Sequence, residues 1–289
     1  MANSIDRIVD AHIHLWDPAR ADWYPYLAGQ RELDMGDISG MVRKFDQPTY
    51  FSESSGWNVV KFVHVAAASA PTHTADETRE LDEMAQATGH PDAIIGGLVP
   101  EDPVADTVAL LDAQMNSPRF RGIRPMGPCP GGVPAAEVLR ALQERDLVFE
   151  LMVHPDELAT AAASLADWGD LTIVVEHAGW PRTNTSEELA LWKTGISALA
   201  SLGDNVHCKV SGLAMPLHSM DAEVLRPWIE HCLEAFGVDR CFFASNFPVD
   251  GMHGTFDQLY SGYDAVTADL DAGARDQLFA SNAERLYRC

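Results

Sequence analysis

The 289-residue sequence is poor in positive charge. It contains 20 Lys and Arg against 43 Asp and Glu, so its formal net charge is −23. Nucleic acid and anionic membrane surfaces would repel such a chain, and we expect neither as a partner. The sequence has no run of about 18 apolar residues, so we expect no membrane-spanning helix. Residues 1–7 also lack the apolar stretch of a signal peptide.

Cysteine is also scarce, and several common functional motifs are missing. The five cysteines show no CxxC spacing and are odd in number. This pattern is typical of free thiols in a reducing compartment, so we expect a cytoplasmic protein. The sequence contains no P-loop, no GxGxxG motif after a strand and no GxSxG elbow. A homo-oligomer is compatible with this composition.

Short apolar runs alternate with helical patterns along the chain. The runs predicted as strands are 8–15, 59–66, 93–99, 121–126, 147–153, 171–177, 206–211 and 240–246. The segments predicted as helices include 76–88, 104–115, 135–145, 156–167, 186–202, 221–236 and 271–286. Eight strands that alternate with helices indicate an α/β fold, a (β/α)8 TIM barrel. We expect a single domain over residues 1–289.

Residues 17–58 interrupt this alternation after the first strand. The segment is rich in aromatic residues, and a connection of this length in a compact domain is usually functional. It follows a strand, so it is expected at the end of the barrel where active sites are built. Two interpretations remain open: a lid or pocket wall, and a packed excursion that covers the barrel mouth.

The first predicted strand carries alternating polar side chains. Side chains alternate between the two faces of a strand, so Asp10, His12 and His14 are predicted to point into the barrel. The apolar residues of the other face are predicted to pack on the helices: Val9, Ala11, Ile13 and Leu15. Two histidines at the end of a barrel strand can converge on one metal ion or substrate. The alternative is a histidine pair satisfied by hydrogen bonds in the core.

Later strands bring further candidates to the same end of the barrel. On the fifth strand, Glu150 and His154 are predicted to point inward, although His154 can equally lie at the rim. On the sixth strand, His177 is predicted to point inward on a face shared with Ile173 and Val175. A histidine in this place is a candidate for substrate contact or acid–base chemistry.

Two basic residues are also predicted to point inward. Arg124, at the end of the fourth strand, can bind a carboxylate or polarise a carbonyl; the alternative is a surface ion pair. An inward Lys209 needs an acidic partner, for which Glu150 and Asp10 are candidates.

The last predicted strand ends at Asn246, whose amide can donate and accept hydrogen bonds but cannot act as a base. Asp250 follows four residues later and is the nearest carboxylate in the sequence.

Several short motifs extend from one end of the chain to the other. They are Val-Asp-Ala-His-Ile-His-Leu-Trp-Asp-Pro (9–18), Trp-Tyr-Pro-Tyr (23–26), Val-His-Val-Ala-Ala (63–67), Glu-Thr-Arg (77–79), Arg-Gly-Ile-Arg (121–124), Glu-His-Ala-Gly-Trp-Pro (176–181), Lys-Val-Ser-Gly-Leu (209–213), Ala-Ser-Asn-Phe-Pro (244–248) and Asn-Ala-Glu-Arg-Leu-Tyr (282–287). In these motifs and their order, the chain resembles the amidohydrolase-2 (amidohydrolase-related) family. It is most similar to the lactonase-like branch, which includes the fuconolactonases and the 2-pyrone-4,6-dicarboxylate lactonases.

The resemblance implies a distorted (β/α)8 barrel with a hydrolase active site at the carboxyl ends of the strands. In the lactonases, histidines that match His12, His14 and His177 bind and polarise the substrate, a strand-eight Asp activates water, and a metal is often dispensable. In metal-dependent relatives, such as aromatic-acid decarboxylases, strand-one and strand-five histidines and that Asp hold a zinc-type ion. The resemblance therefore implies candidate metal ligands at His12, His14, His154 and His177.

The sequence departs from this family at two positions. Asn246 stands where the relatives have the strand-eight Asp, and Trp180 stands where the sugar-lactone enzymes commonly have Lys. Three hypotheses follow: water is activated by Asp250 or His177, metal binds more weakly because an anionic ligand is lost, or the chain binds a ligand without turning it over.

The favoured interpretation is a hydrolase that opens a small lactone, sugar-derived or carboxylated, by attack of water on the carbonyl. Ester hydrolysis is favoured over decarboxylation, and the expected partner is this small-molecule substrate. No cofactor is required, or one divalent metal is, with zinc favoured. The alternatives are a zinc-dependent decarboxylase or C–N hydrolase of the same fold, and a non-catalytic binding barrel. The candidate catalytic residues are His177, Asn246 and Asp250, and the candidate substrate-binding residues are His12, His14, Arg124 and Trp180.

Overall fold

Eight parallel strands, connected by helices, form the centre of the protein. The computed structural model describes residues 5–29, 32–33, 36–127, 129 and 132–289. The strands are β1 (Ile8–Ile13), β2 (Val59–Val65), β3 (Ala93–Leu98), β4 (Phe120–Pro125), β5 (Val148–Leu151), β6 (Ile173–Val175), β7 (Val206–Val210) and β8 (Cys241–Phe243). Each pairs with the next in chain order. Just beyond β1 and β8, backbone hydrogen bonds join His14 to Phe247 and Asn246 to His12. These bonds bring the first and last strands together, which confirms the predicted TIM barrel.

Helices follow the strands on the outside of the barrel. Their bounds in the described chain are Pro25–Gly29, Gln47–Glu53, Thr74–Thr88, Val104–Gln114, Ala136–Glu144, Leu158–Leu165, Ser186–Ala200, Ala214–Leu217, Ala222–Phe236, Phe256–Val266, Ala272–Asp276 and Asn282–Tyr287. Helix Phe256–Val266 was not predicted from the sequence; it begins with a capping box between Thr255 and Gln258. The predicted helix 271–286 is divided by a π-helical turn at Gln277–Ser281. Within the described residues, no helix has the length and hydropathy needed to cross a membrane.

The C-terminal helix closes the lower end of the barrel. Tyr287 packs with apolar side chains from several strands that are not adjacent, such as Val63 and Val174, which can meet only inside a barrel. Above them, the buried ammonium group of Lys209 pairs with the carboxylate of Glu150, as the sequence analysis proposed. Tyr287 donates a hydrogen bond to the same carboxylate at 2.6 Å. The lower barrel is therefore a packed core, and a cavity opens toward the carboxyl ends of the strands.

A bulge in β1 changes which of its side chains face the barrel interior, so the predicted alternation fails along part of the strand. Val9 and Ala11 face the barrel interior, whereas Asp10 faces outward and accepts a 2.8 Å hydrogen bond from the hydroxyl of Tyr50. Asp10 pairs with Phe62 and Ile13 with His64, so β1 advances three residues while β2 advances two. An extra residue in one strand reverses the facing of every side chain that follows it. The prediction was therefore wrong for Val9, Ala11 and Asp10.

The described parts of the 17–58 segment pack partly on the outside of the barrel and partly at its mouth. Its helix Gln47–Glu53 supplies Tyr50, which is fully buried and reaches Asp10. The segment also contributes Pro25, Tyr26, Leu33 and Met41 to a cavity wall. It thus forms both packed core and pocket wall, and its function as a lid stays a prediction.

Candidate active site

The carboxyl ends of the strands open into a cavity of about 520 Å³. Its described lining includes several predicted site residues, namely His14, Arg124, His177, Trp180 and Asn246. Three predicted site residues do not line this cavity, namely His12, His154 and Asp250.

His12 and His14 direct their Nε2 atoms at each other, at a distance of 3.1 Å. Nδ1 of His14 lies 2.8 Å from the carbonyl oxygen of Val65. A carbonyl can only accept, so this nitrogen carries the proton and Nε2 of His14 keeps a lone pair. Burial and nearby positive groups hold the pKa of both imidazoles well below its ordinary value. The pair is therefore neutral at neutral pH.

His177 reaches the cavity because the backbone leaves strand geometry after β6. Val174 faces the barrel interior, whereas Ile173 and Val175 belong to the outer core. The prediction that Ile173, Val175 and His177 share one inward face is therefore wrong, since Ile173 and Val175 face outward. At His177 and Ala178 the backbone φ is 51°, a left-handed conformation that costs free energy in residues other than glycine. This turn places the ring of His177 in the cavity wall.

Both ring nitrogens of His177 have protein partners. Nδ1 lies 2.9 Å from the hydroxyl oxygen of Ser211, and Nε2 lies 3.3 Å from a carboxylate oxygen of Glu176. Burial lowers the pKa of His177 to about 3, although Glu176 opposes this effect. Gly212 gives the ring room, since a Cβ at this position would lie 2.6 Å from Cγ of His177. The ring is a neutral bridge between a hydroxyl group and a carboxylate.

Glu176 is a site residue that the sequence analysis did not propose. Its carboxylate accepts a 2.8 Å hydrogen bond from Nη1 of Arg124, whose Nη2 donates to the carbonyl of Ala66 at 2.7 Å. Burial alone would raise the pKa of Glu176, but Arg124 and the other groups around the carboxylate together outweigh this effect and hold that pKa well below its ordinary value. The guanidinium has five N–H groups, so Arg124 retains donors for a substrate oxygen. Glu176 lies two residues after Val174, which faces the barrel interior. Regular strand alternation would therefore have predicted an inward Glu176.

Asn246 and Asp250 form a buried pair at the end of β8. Nδ2 of Asn246 donates to Oδ1 of Asp250 at 3.0 Å. Among the described residues, Oδ1 of Asn246 and Oδ2 of Asp250 are buried without hydrogen-bond partners. Burial raises the pKa of Asp250 to about 7, against the opposing hydrogen bond from Asn246. Asn246 has a φ of 57°, which Asn tolerates better than most residues. The pair thus presents two buried oxygen atoms, each of which can accept a hydrogen bond from a bound molecule.

Trp180 separates the cavity from the surface beyond His154. Its backbone φ is 37°, and its carbonyl oxygen lies 3.0 Å from Nδ1 of His154. The centroids of the two rings are 4.9 Å apart. This contact directs His154 to the outer side of Trp180, away from the other histidines of the site.

The remaining question is whether these side chains fit a metal ion. Two zinc–nitrogen bonds of about 2.0–2.1 Å can span the 3.1 Å between Nε2 of His12 and Nε2 of His14. One ligand atom each of His12, Glu176 and His177 lies within 4.8 Å of the others. Neutral imidazoles and a carboxylate suit a divalent ion, so the residues fit. The amide of Asn246 adds no negative charge to this set.

Residues 9–289 match the model of the amidohydrolase family, so the chain belongs to this family. It is 31% identical to an uncharacterized Sinorhizobium fredii protein, over 97% of this chain and 98% of that protein. It is 30% identical to an L-fucono-1,5-lactonase from Burkholderia ambifaria, over 97% of this chain and 95% of that enzyme.

Among solved structures, an amidohydrolase from Burkholderia multivorans with bound zinc superposes on the chain with a TM-score of 0.80. The two are 26% identical, and the match covers 97% of this chain and 99% of that one. Family membership and the lactonase relative indicate that the chain is an enzyme.

Proposed function

We propose that the protein hydrolyses a small lactone. Water adds to the carbonyl carbon, the bond from that carbon to the ring oxygen breaks, and the ring oxygen takes up the proton that the water loses. The product is a hydroxy acid. The observation that carries the proposal is the pair of unpartnered acceptors on Asn246 and Asp250 beside a cavity that also contains Arg124. The lactonase relative supports the same reaction.

The attacking water is held by Asn246 and Asp250. A water molecule has two O–H donors, and the pair offers two acceptor atoms that lack one. Asp250 accepts the proton as the water attacks, since a base is most effective when its pKa is near the working pH and that of Asp250 is about 7. Asn246 orients the water but takes no proton.

The carbonyl oxygen of the lactone binds Arg124. As negative charge develops on this oxygen, a fixed guanidinium N–H stabilises it without reorganisation. Glu176 and His177 position Arg124 through the chain of contacts at 2.8 and 3.3 Å. A divalent ion held by His12 and His14 would supply further polarisation of the carbonyl.

A panel of five- and six-membered lactones tests the proposal, with hydrolysis followed by acid release. We expect Asp250→Asn to lower kcat at least 100-fold, as is typical when a general base is lost. His177→Ala should lower it less, because His177 positions Arg124 but takes no proton. Unchanged turnover in both variants would remove the two residues from the mechanism, and failure of every lactone to react would refute the proposed function.

A further inference from the structure

We infer that the substrate is an uncharged lactone whose ring carries apolar or aromatic groups, in place of the hydroxyls of a sugar lactone or the carboxylates of an acidic one. This inference rests on the proposed lactone hydrolysis and adds the substrate class. It follows from three properties of the cavity wall: its apolar side chains, its occupied hydrogen-bonding groups and its neutralised charge.

Apolar and aromatic side chains dominate the described wall. They approach the cavity from several elements of the barrel and from the 17–58 segment, and include Trp16, Tyr26, Met126, Met152, Trp180 and Met215. Methionine and tryptophan make favourable contacts with flat rings. Four flexible methionines, with Met41 as the fourth, and two indole rings suit an aromatic or alkyl-substituted ring.

The polar groups of the described wall are mostly engaged by the protein. The hydroxyl of Tyr26 donates to the carbonyl of Ala67 at 2.9 Å, and Nδ1 of His14 donates to the carbonyl of Val65 at 2.8 Å. Both nitrogens of His177 are occupied as well. A polyhydroxylated ring would bury several hydroxyl groups without partners, and each such loss costs roughly tenfold or more in affinity.

The positive charge at the cavity is already compensated. Arg124 forms an ion pair with Glu176 at 2.8 Å, and no other Lys or Arg belongs to the part of the wall that the structure describes. A carboxylate on the substrate would be buried beside a guanidinium whose charge Glu176 already balances, whereas an uncharged carbonyl needs only a free N–H.

Trp180 is the residue that most directly sets this preference. Its backbone is held by the contact between its carbonyl oxygen and His154, and its ring lies beside His177, with centroids 5.6 Å apart. A flat apolar side chain at this place offers a stacking surface and no hydrogen bond except from its indole N–H.

Two six-membered lactones test the inference: 3,4-dihydrocoumarin, which is aromatic, and D-glucono-1,5-lactone, which is polyhydroxylated. We expect kcat/KM for dihydrocoumarin to be at least 30-fold higher. Trp180→Lys should reduce this ratio at least tenfold. The matched control is Leu191→Lys, since Leu191 lies on the surface with 48% exposure, and it should leave the ratio unchanged. A preference for gluconolactone, or an equal effect of both variants, overturns the inference.

Binding of the matching lactams separates this inference from the proposed function, because lactams resist hydrolysis. We expect 3,4-dihydro-2-quinolinone to bind at least tenfold more tightly than D-glucono-1,5-lactam in calorimetry. If the quinolinone binds more tightly but no lactone of the panel turns over, the proposed reaction is refuted and the assigned ligand class stands. If the sugar lactam binds as well or better, or neither lactam binds, the inference is overturned whatever the turnover.

Discussion

Replacing Asp250 with Asn should make the folded protein more stable at alkaline pH while it removes activity. Asp250 is fully buried, and burial raises its pKa from 3.8 to about 7. The folded state therefore binds this proton more tightly than the unfolded state. The stability that results is complete below pH 4 and is lost as the pH rises through about 7.

The size of the effect follows from the two pKa values. Each pH unit between them corresponds to about 1.4 kcal/mol, so the ionised carboxylate makes folding about 4 kcal/mol less favourable above pH 8. Between pH 5 and pH 8, Asp250 lowers the free energy of unfolding by about 2–3 kcal/mol. Asn in its place cannot ionise, and its side-chain oxygen can still accept the hydrogen bond from Asn246.

Urea denaturation at pH 5 and pH 8 measures this difference. Wild-type protein should lose about 2–3 kcal/mol more than Asp250→Asn over this range. Asp269→Asn is the control, because Asp269 is exposed and its replacement removes one surface charge only. Other buried carboxyls, such as Asp10, titrate equally in all three proteins. Parallel pH dependences for wild type and Asp250→Asn would refute the reasoning.

Three further predictions concern the groups around the site. Lys209→Met should destabilise the fold by about 3–5 kcal/mol because Glu150 stays buried without its partner. Adding Glu150→Leu should restore most of the lost stability. A double variant as unstable as Lys209→Met in urea denaturation would contradict this explanation. Gly212→Ala should lower kcat for lactone hydrolysis at least tenfold, since its Cβ would displace the ring of His177; wild-type kcat would contradict the geometry. Asn246→Asp should bind zinc at least tenfold more tightly in chelator competition, because a carboxylate replaces an amide, and unchanged affinity would exclude position 246 from the metal site.

The barrel was predictable from the sequence because its strands are apolar runs separated by helical patterns. The strand bounds differ from the prediction mainly where the backbone leaves the sheet early, as β6 does at Val175. The helix Phe256–Val266 was missed, although its capping box at Thr255 and Gln258 was a usable signal.

The facing of the site residues was harder to predict, because simple alternation fails at both histidine motifs. A bulge in β1 reverses the facing between Asp10 and His12, and left-handed backbone at His177 turns that ring inward. Such local departures depend on tertiary contacts, for example that of Asp10 with Tyr50. Glu176 follows regular alternation with inward Val174, but its contact with Arg124 exists only in the folded barrel.

Hydrolysis of dihydrocoumarin in water enriched with oxygen-18 tests the central claim most directly. If water held by Asn246 and Asp250 attacks the carbonyl carbon, the wild-type enzyme should release a hydroxy acid that carries one oxygen-18 atom in its carboxylate. The rate in Asp250→Asn should fall at least 100-fold. Label in the phenolic oxygen, or product formed by wild type and Asp250→Asn at the same rate, would contradict the account.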